Sequence, residues 1–139
     1  MTTSAPITAR RIPERQRAKY VHKLFGAARF IFLESFVFDT ASSLSSAYSG
    51  GFWNFFALSN GGFFMAPNAP AKFEVAAFNG FEGELSAEAF GIAVTLSALS
   101  LLSFNPDEKF SELCAKQYYL LRDYMLSHPE AQQILAVLD

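Results

Sequence analysis

The sequence predicts an α+β fold, a single domain in which a small antiparallel β-sheet of about three strands packs with four to five helices. Apolar residues recur at helical spacing early in the chain and again near its end. Between these regions lies an aromatic segment with the patterning of strands and with Asn-Gly turns. Helices, then a group of strands, then helices again is the order typical of an α+β domain.

The composition is that of a globular protein with a substantial core. Of 139 residues, 51% are hydrophobic, 17% are charged and 16 are phenylalanine, which excludes a disordered chain. The single cysteine, Cys114, cannot form an internal disulfide, and His22 and His128 lack the spacing of zinc ligands. No segment has the pattern of a secretory signal or a membrane span. We therefore expect a cytoplasmic protein with no metal and no cofactor.

Two helices are predicted before the aromatic segment. The first begins at Pro13 and is closed by Gly26, and the polar residues 1–12 before it are expected to be mobile. The second covers residues 28–48 and turns one apolar stripe toward the core, formed by Phe30, Leu33, Val37, Ala41, Leu44 and Tyr48. Residues 13–139 are expected to form one domain, because no linker or repeat divides them.

The aromatic segment YSGGFWNFFALSNGGFFMAP, residues 48–67, has seven aromatic side chains and no charge. Asn60 and Gly61 predict a two-residue hairpin turn in which both residues have positive φ. That turn would pair Leu58 with Phe63, Ala57 with Phe64 and Phe56 with Met65. Both faces of such a hairpin are apolar, so either both are covered within the fold or one meets a partner. We favour the first interpretation, because buried aromatic residues usually pack against one another.

A third strand and three helices follow. Residues 72–78 have the alternation of a strand, with Phe73 and Val75 on one face. Ser86 is predicted to cap the next helix, which contains the charge-free apolar residues 89–104 and should be buried. Two more helices complete the chain.

Motifs for catalysis or phosphate binding are missing from the sequence. It contains no P-loop, dinucleotide-binding or nucleophile-elbow spacing. The SNGG turn is followed by extended sequence, so we interpret it as a hairpin turn and not as a phosphate cradle. Glu82, Glu84 and Glu88 are clustered and could carry acid–base chemistry beside an aromatic pocket, which keeps a small-ligand enzyme open as an alternative. An exposed loop and a helix start explain them more simply, so no catalytic residue is assigned.

Charge is divided unevenly along the chain. Residues 1–29 contain seven basic side chains and one acidic one, a net charge of +6, while residues 30–139 contain four basic and twelve acidic ones, a net charge of −8. Four cations recur at every fourth residue: Arg11, Arg15, Lys19 and Lys23. If Pro13 starts the first helix, most of them lie on one face of it. We call these four residues the basic stripe. A small nucleic-acid-binding module that uses this basic N-terminal helix is therefore an alternative function. The aromatic segment itself has no interleaved cations, which argues against base stacking there.

The motifs and their order resemble the ArdB/KlcA antirestriction family. The resemblance is carried by GGFWNFFALSNGGFFMAP (residues 50–67) and GELSAEAFGI (residues 83–92), and it covers residues 48–92. The chain has Phe at positions 52, 56 and 64, where the family pattern leads us to expect some tyrosines. The resemblance implies a single-domain α+β protein of plasmids, phages or genomic islands, without catalysis or cofactor. Such proteins protect incoming DNA from type I restriction–modification enzymes.

The implied partner is a subunit of the type I restriction–modification enzyme or a regulator of it. DNA mimicry is disfavoured, because 13 acidic and 11 basic side chains cannot imitate a duplex with one charge per about 1.7 Å. Direct DNA binding is disfavoured as well, and a monomer is the expected state. Asp139 is a candidate contact, because its carboxylate lies at the negative end of a helix dipole and would be compensated by a basic partner. The candidate motif and interaction residues are Gly51, Trp53, Asn60, Gly61, Gly62, Met65, Pro67, Ser86 and Asp139.

Overall fold

The computed structural model describes residues 6–69 and 72–139. Five α-helices lie in these residues: α1 (Arg17–Leu24), α2 (Ala27–Leu44), α3 (Ala87–Leu102), α4 (Glu108–Met125) and α5 (Ala131–Leu138). The five strands are β1 (Ala9–Arg11), β2 (Trp53–Leu58), β3 (Phe63–Pro67), β4 (Phe73–Ala76) and β5 (Glu82–Leu85). β1, β2 and β3 form an antiparallel sheet in that order, and β4 and β5 form a separate hairpin. The predicted α+β class is confirmed, with five strands in two small sheets.

Helix α3 occupies the centre of the molecule. Its residues are buried on all sides except at its two ends and at Ser97 and Ser100. It packs against β3 and against α2, α4 and α5. A helix in this position must be apolar all round, which explains the charge-free run that the sequence shows there. The predicted buried helix is thus confirmed, and Ser86 caps it as expected.

Helix α3 also covers the outer edge of β3. The Thr95 hydroxyl accepts a hydrogen bond from the Met65 amide and donates one to the Met65 carbonyl, each at 3.3 Å. A Cβ atom at Gly91 would lie 2.3 Å from the Met65 carbonyl oxygen and 2.4 Å from Cα of Ala66. Glycine therefore permits the close approach, and threonine supplies the bonds that a further strand would have made. An edge strand covered in this way has no free backbone groups at that point.

The turn between β2 and β3 differs from the predicted one. The Gly61 amide donates to the Leu58 carbonyl at 3.0 Å, and the Leu58 amide donates to the Gly62 carbonyl at 2.9 Å. The loop is therefore one residue longer, and only Gly61, with φ of 94°, needs the left-handed region. The predicted two-residue turn is wrong, and its register is wrong by one residue. The observed pairs include Phe55 with Met65, Phe56 with Phe64 and Ala57 with Phe63.

Both faces of the β2–β3 hairpin are buried within the chain. On one face, the ring of Phe30 from α2 lies 5.4 Å from that of Phe55. On the other face, Phe64 stacks at 5.9 Å on Tyr124 from α4. Every residue of β3 is buried. The apolar pattern on both faces therefore reflects packing on two sides, as we favoured from the sequence.

The N-terminal region is more ordered than the sequence suggested. Residues 9–11, which we expected in the mobile segment, form β1 and pair with β2. Ile12 is 1% exposed. The packed part of the chain thus begins before residue 13, because β1 pairs with the backbone of β2 on the edge that β3 does not cover. Residues 1–5, the first part of the segment that we expected to be mobile, lie outside the described residues.

The basic stripe does not lie on one helix face. Arg11 lies in β1 and Arg15 in a 3-10 turn (Glu14–Gln16), so only Lys19 and Lys23 share α1. All four side chains are exposed. The prediction of a continuous stripe is wrong, because Ile12 is drawn into the core and the strand that precedes it cannot be helical.

Replacing Gly91 with alanine should destabilise the protein by about 1–3 kcal/mol, because the new methyl group would overpack against the backbone of β3. In a helix without such a contact, the same change stabilises by about 1 kcal/mol. The sign of the change in the free energy of unfolding, measured with urea, therefore tests the contact. Ser97→Ala in the same helix is the control and should stay within about 0.5 kcal/mol. A Gly91→Ala protein more stable than the parent would contradict the packing.

Candidate functional site

Fewer than half of the predicted interaction residues are buried in the fold. Trp53 is 3% exposed, and its Nε1 donates a hydrogen bond to the hydroxyl of Tyr48 at 3.1 Å. Met65 and Pro67 are buried in β3. Gly51 lies in the loop before β2 with φ of 114°, a conformation that glycine adopts readily. These four candidates shape the sheet, and the structure does not bring them together at a surface.

Asn60 ties the hairpin turn to helix α4. Its side-chain oxygen accepts a hydrogen bond from the Gly62 amide at 2.9 Å, and its side-chain nitrogen donates to the Leu120 carbonyl at 2.9 Å. A Cβ atom at Gly62 would lie 2.9 Å from Cβ of Leu120. Asn60, Gly61 and Gly62 thus form one structural contact, with the amide side chain as the connection.

Asn79 makes the same contact from the second hairpin. Its side-chain oxygen accepts from the Phe81 amide at 3.0 Å, and its side-chain nitrogen donates to the Ala136 carbonyl of α5 at 2.8 Å. Gly80 has φ of 95°, close to that of Gly61. Sequence reasoning recognised both Asn-Gly pairs as turns but missed the bonds to distant helices. The repetition of Asn-Gly at two hairpins was the feature of the sequence that could have indicated these bonds.

Ser86 joins the start of α3 to the loop before α5. Its hydroxyl accepts a hydrogen bond from the Ala89 amide at 3.1 Å and donates to Oε2 of Glu130 at 2.6 Å. The Ser86 amide donates to Oε1 of the same carboxylate at 3.0 Å. Nδ1 of His128 accepts from the Glu130 amide at 3.0 Å, and its Nε2 lies 3.1 Å from Oε1 of Glu88. The four side chains form a connected network on the surface.

The Ser86 network holds its carboxylate in the charged form. Burial raises the pKa of Glu130, but the hydrogen bonds from the Ser86 hydroxyl and amide, together with His128 and Lys72, bring it below its ordinary value of 4.5. The Ser86 hydroxyl is committed to a helix cap and to this carboxylate. Its position is that of a structural connection and not of a free nucleophile.

The other candidates for chemistry are separated. Glu82 and Glu84 lie in β5 beside a different depression, whereas Glu88 contacts His128, so the predicted carboxylate cluster does not assemble. Burial raises the pKa of the Cys114 thiol to about 12. Within residues 6–69 and 72–139, no group of three or more His, Cys, Asp or Glu side chains is placed to hold a metal ion. None of the helices in those residues is both long enough and apolar enough to span a membrane.

Asp139 lies at a surface groove with a volume of about 530 Å³. The groove is bounded by α2, α3, α4, α5 and the turn of the β4–β5 hairpin, so its walls come from residues far apart in sequence. Sequence reasoning identified Asp139 but none of the other lining residues. We define this depression, lined by Asp39, Phe78, Leu101 and Asp139 among others, as the groove.

Residues 46–139, which include the second and third strands and all the later elements, match the family described as antirestriction protein. The chain belongs to this family. Two KlcA antirestriction proteins of Escherichia coli are 34% and 37% identical to it, and the alignments cover 99% and 97% of this chain and 99% and 95% of theirs. The predicted family is thereby confirmed.

A solved structure from work on the KlcA and ArdB proteins has the same fold as this antirestriction protein. The TM-score is 0.90 at 36% identity, with 100% of this chain and 99% of the other covered. Those proteins show a novel fold and antirestriction activity against type I DNA restriction systems in vivo but not in vitro.

Replacing Glu130 with glutamine should lower the stability of the antirestriction protein at pH 7 by about 1–2 kcal/mol, because the acceptor loses its charge and one of the two oxygens that accept from Ser86 becomes an NH2 group. The folded pKa is depressed, so this stability is present above pH 4.5 and is lost as the pH falls through the folded value. Melting temperatures of parent and variant should therefore converge as the pH is lowered below 4.5. Glu82→Gln, at an exposed position of β5, is the control. A constant difference across pH would contradict the role of the carboxylate charge.

Proposed function

We propose that this antirestriction protein relieves type I restriction–modification of incoming DNA in the cytoplasm by contact with a protein. The partner is a subunit of the restriction enzyme or a regulator of it. The observation that carries the proposal is the 36% identity, over the whole chain, to a KlcA/ArdB structure whose proteins act against type I systems in vivo. Family members that share the fold and the packed motif are expected to share the target.

Weak and divided charge argues against DNA mimicry as the mechanism. The whole chain has a net charge of only −2. The outer face of the β4–β5 hairpin carries three carboxylates, with Glu74 opposite Glu84 and with Glu82 two residues along β5. A duplex carries one charge per about 1.7 Å along its whole axis, which this small set does not reproduce.

A requirement for a cellular component is consistent with protein contact. The KlcA and ArdB activity is seen in vivo but not in vitro, and a protein that acts through a further component of the cell would behave in this way. We propose no catalytic step. Cys114 is buried with a raised pKa, and the Ser86 hydroxyl is held by Glu130, so both of these side chains serve the fold.

A nucleic-acid-binding function remains the second candidate, because the N-terminal cations are exposed. Arg10 and the basic stripe lie within residues 10–23. One further cation, Arg17, is committed to the fold, with its guanidinium 4.3 Å from the ring centroid of Phe52 and 4.8 Å from that of Phe55. The remaining set is a small electrostatic footprint for a duplex, and it does not lie on one helix face.

Expression of this protein should raise the plating efficiency of unmodified phage on cells that carry a type I system. The reason is relief of restriction, so the effect should disappear on cells without that system and for phage already modified. Plating counts with and without expression provide the measurement. Equal counts across several type I families would contradict the proposal.

Replacing the basic stripe with glutamine should leave both stability and antirestriction activity close to those of the parent. Only Lys19 and Lys23 share a helix, and relief of one like-charge pair stabilises by about 0.2–0.5 kcal/mol. Melting temperature measures stability, and plating efficiency measures antirestriction activity. Retention of parent and variant on immobilised DNA at increasing salt shows whether the stripe binds DNA. Lost activity in a folded variant would favour the nucleic-acid alternative.

A further inference from the structure

The groove has apolar walls with hydroxyl, amide and carboxylate side chains between them, and aromatic and aliphatic side chains lie exposed at its rim. Its apolar walls come from α2, α3, α4 and α5, and include Phe36, Leu44, Leu101, Tyr118, Val137 and Leu138. Phe78, on the turn of the β4–β5 hairpin, is 95% exposed, and Leu101 is 58% exposed. Exposed apolar side chains beside a depression with apolar walls and some polar groups are the kind of surface that proteins use for association.

The exposed ring of Phe78 is carried on a fixed turn. The Ala77 amide donates to the Phe81 carbonyl at 2.9 Å, and the Gly80 amide donates to the Ala77 carbonyl at 3.1 Å. Asn79, the next residue after Phe78, is bound to the Ala136 carbonyl of α5. The backbone that carries the ring is therefore held at one wall of the groove before anything binds, which lowers the backbone part of the entropic cost of a contact there.

The charge of the groove is acidic only. Asp39 from α2 and Asp139 from the end of α5 line it, and none of the lining residues that the structure describes is Lys, Arg or His. The two ion pairs found in residues 6–69 and 72–139, Arg29 with Asp107 and His128 with Glu88, leave both groove carboxylates out. The complementary occupant is apolar and carries positive charge.

We propose that the groove docks an apolar protein segment that carries Lys or Arg side chains. Its apolar side chains pack on Phe78 and Leu101, and its cations reach Asp39 and Asp139. A protein segment fits better than a small molecule, because the rim side chains extend beyond the depression and only a wider partner covers them. This inference adds the chemistry of the partner to the proposed function. It rests on the proposed function only for the statement that the partner belongs to the restriction system.

Binding of designed peptides tests the proposal directly. The probes are two labelled 18-residue amphipathic peptides with the same leucine positions, one with lysine and the other with glutamate at the polar positions. Fluorescence polarisation should show saturable binding of the lysine peptide and none of the glutamate peptide. Failure of the lysine peptide to bind, or equal binding of both, would overturn the proposal.

Variants locate the bound peptide. Phe78→Ser with Leu101→Ser should weaken binding at least about tenfold, as expected for the loss of the two exposed apolar side chains on which the peptide packs. Asp39→Asn with Asp139→Asn should weaken it about fivefold, the effect of two rim charges. Glu82→Gln with Glu84→Gln removes the same charge outside the groove and should leave affinity unchanged. All the replaced side chains are exposed at least in part, and melting temperatures verify folding. An equal loss in the control pair would overturn the groove assignment.

The plating assay separates failure of this inference from failure of the proposed function. If the parent relieves restriction, Phe78→Ser with Leu101→Ser should lose relief while Glu82→Gln with Glu84→Gln retains it. Full relief by the groove variant would overturn the docking proposal and leave the antirestriction proposal standing. If the parent itself gives no relief, the proposed function fails and the peptide experiment alone decides the groove. A parent dimer in sedimentation that dissociates on Phe78→Ser would assign the groove to a second copy and overturn the proposal.

Discussion

The contact between helix α3 and the backbone of β3 is the constraint on which the rest of the structure depends. Gly91 lets the helix touch the strand at Met65 and Ala66, and Thr95 hydrogen-bonds both backbone groups of Met65. Once α3 is fixed against this edge, α2, α4 and α5 have one helix in common to pack on. The two motifs that carry the family resemblance meet here, since β3 belongs to the first and Gly91 to the second. The two motifs, separate in the sequence, are thus joined in the fold by one packing contact.

The two hairpins position the last two helices by the same means. Each has an Asn-Gly turn whose asparagine closes the turn with its oxygen and reaches a helix carbonyl with its nitrogen. The first hairpin holds α4 and the second holds α5. Each bond joins its turn to a helix carbonyl through a short side chain, so it adds a directional contact to the apolar packing between hairpin and helix. The bond from Asn79 to α5 also fixes two walls of the groove relative to each other, since one wall is α5 and another is the turn of the β4–β5 hairpin.

Local patterns in the sequence predicted local structure well and tertiary placement poorly. The apolar stripe of α2 from Phe30 to Leu44, the serine cap of α3 and the buried character of that helix follow from periodicity and capping chemistry, which act within a few residues. The helix predicted to continue to Tyr48 ends at Leu44, because the backbone at Ser45 is extended, with φ of −142° and ψ of 120°. The hairpin register was wrong because Asn-Gly suits two turn types, and a loop one residue longer leaves positive φ to Gly61 alone. β1 was missed because three residues carry no readable period, and its pairing with β2 is a long-range contact. Asp139 was identified from helix electrostatics, but Asp39, Phe78 and Leu101 join it only in three dimensions.

The two edge strands of the three-stranded sheet are protected from further strand pairing in different ways. At β3 the Thr95 hydroxyl uses the backbone groups of Met65 that a fourth strand would need. At the other end, β1 is only three residues long, and its last two residues are the exposed Arg10 and Arg11. A short, charged edge is a poor template for strand addition. The edges of this phenylalanine-rich sheet are therefore poor templates for sheet-to-sheet aggregation, and a macromolecule that meets the sheet would contact its side chains and not its backbone.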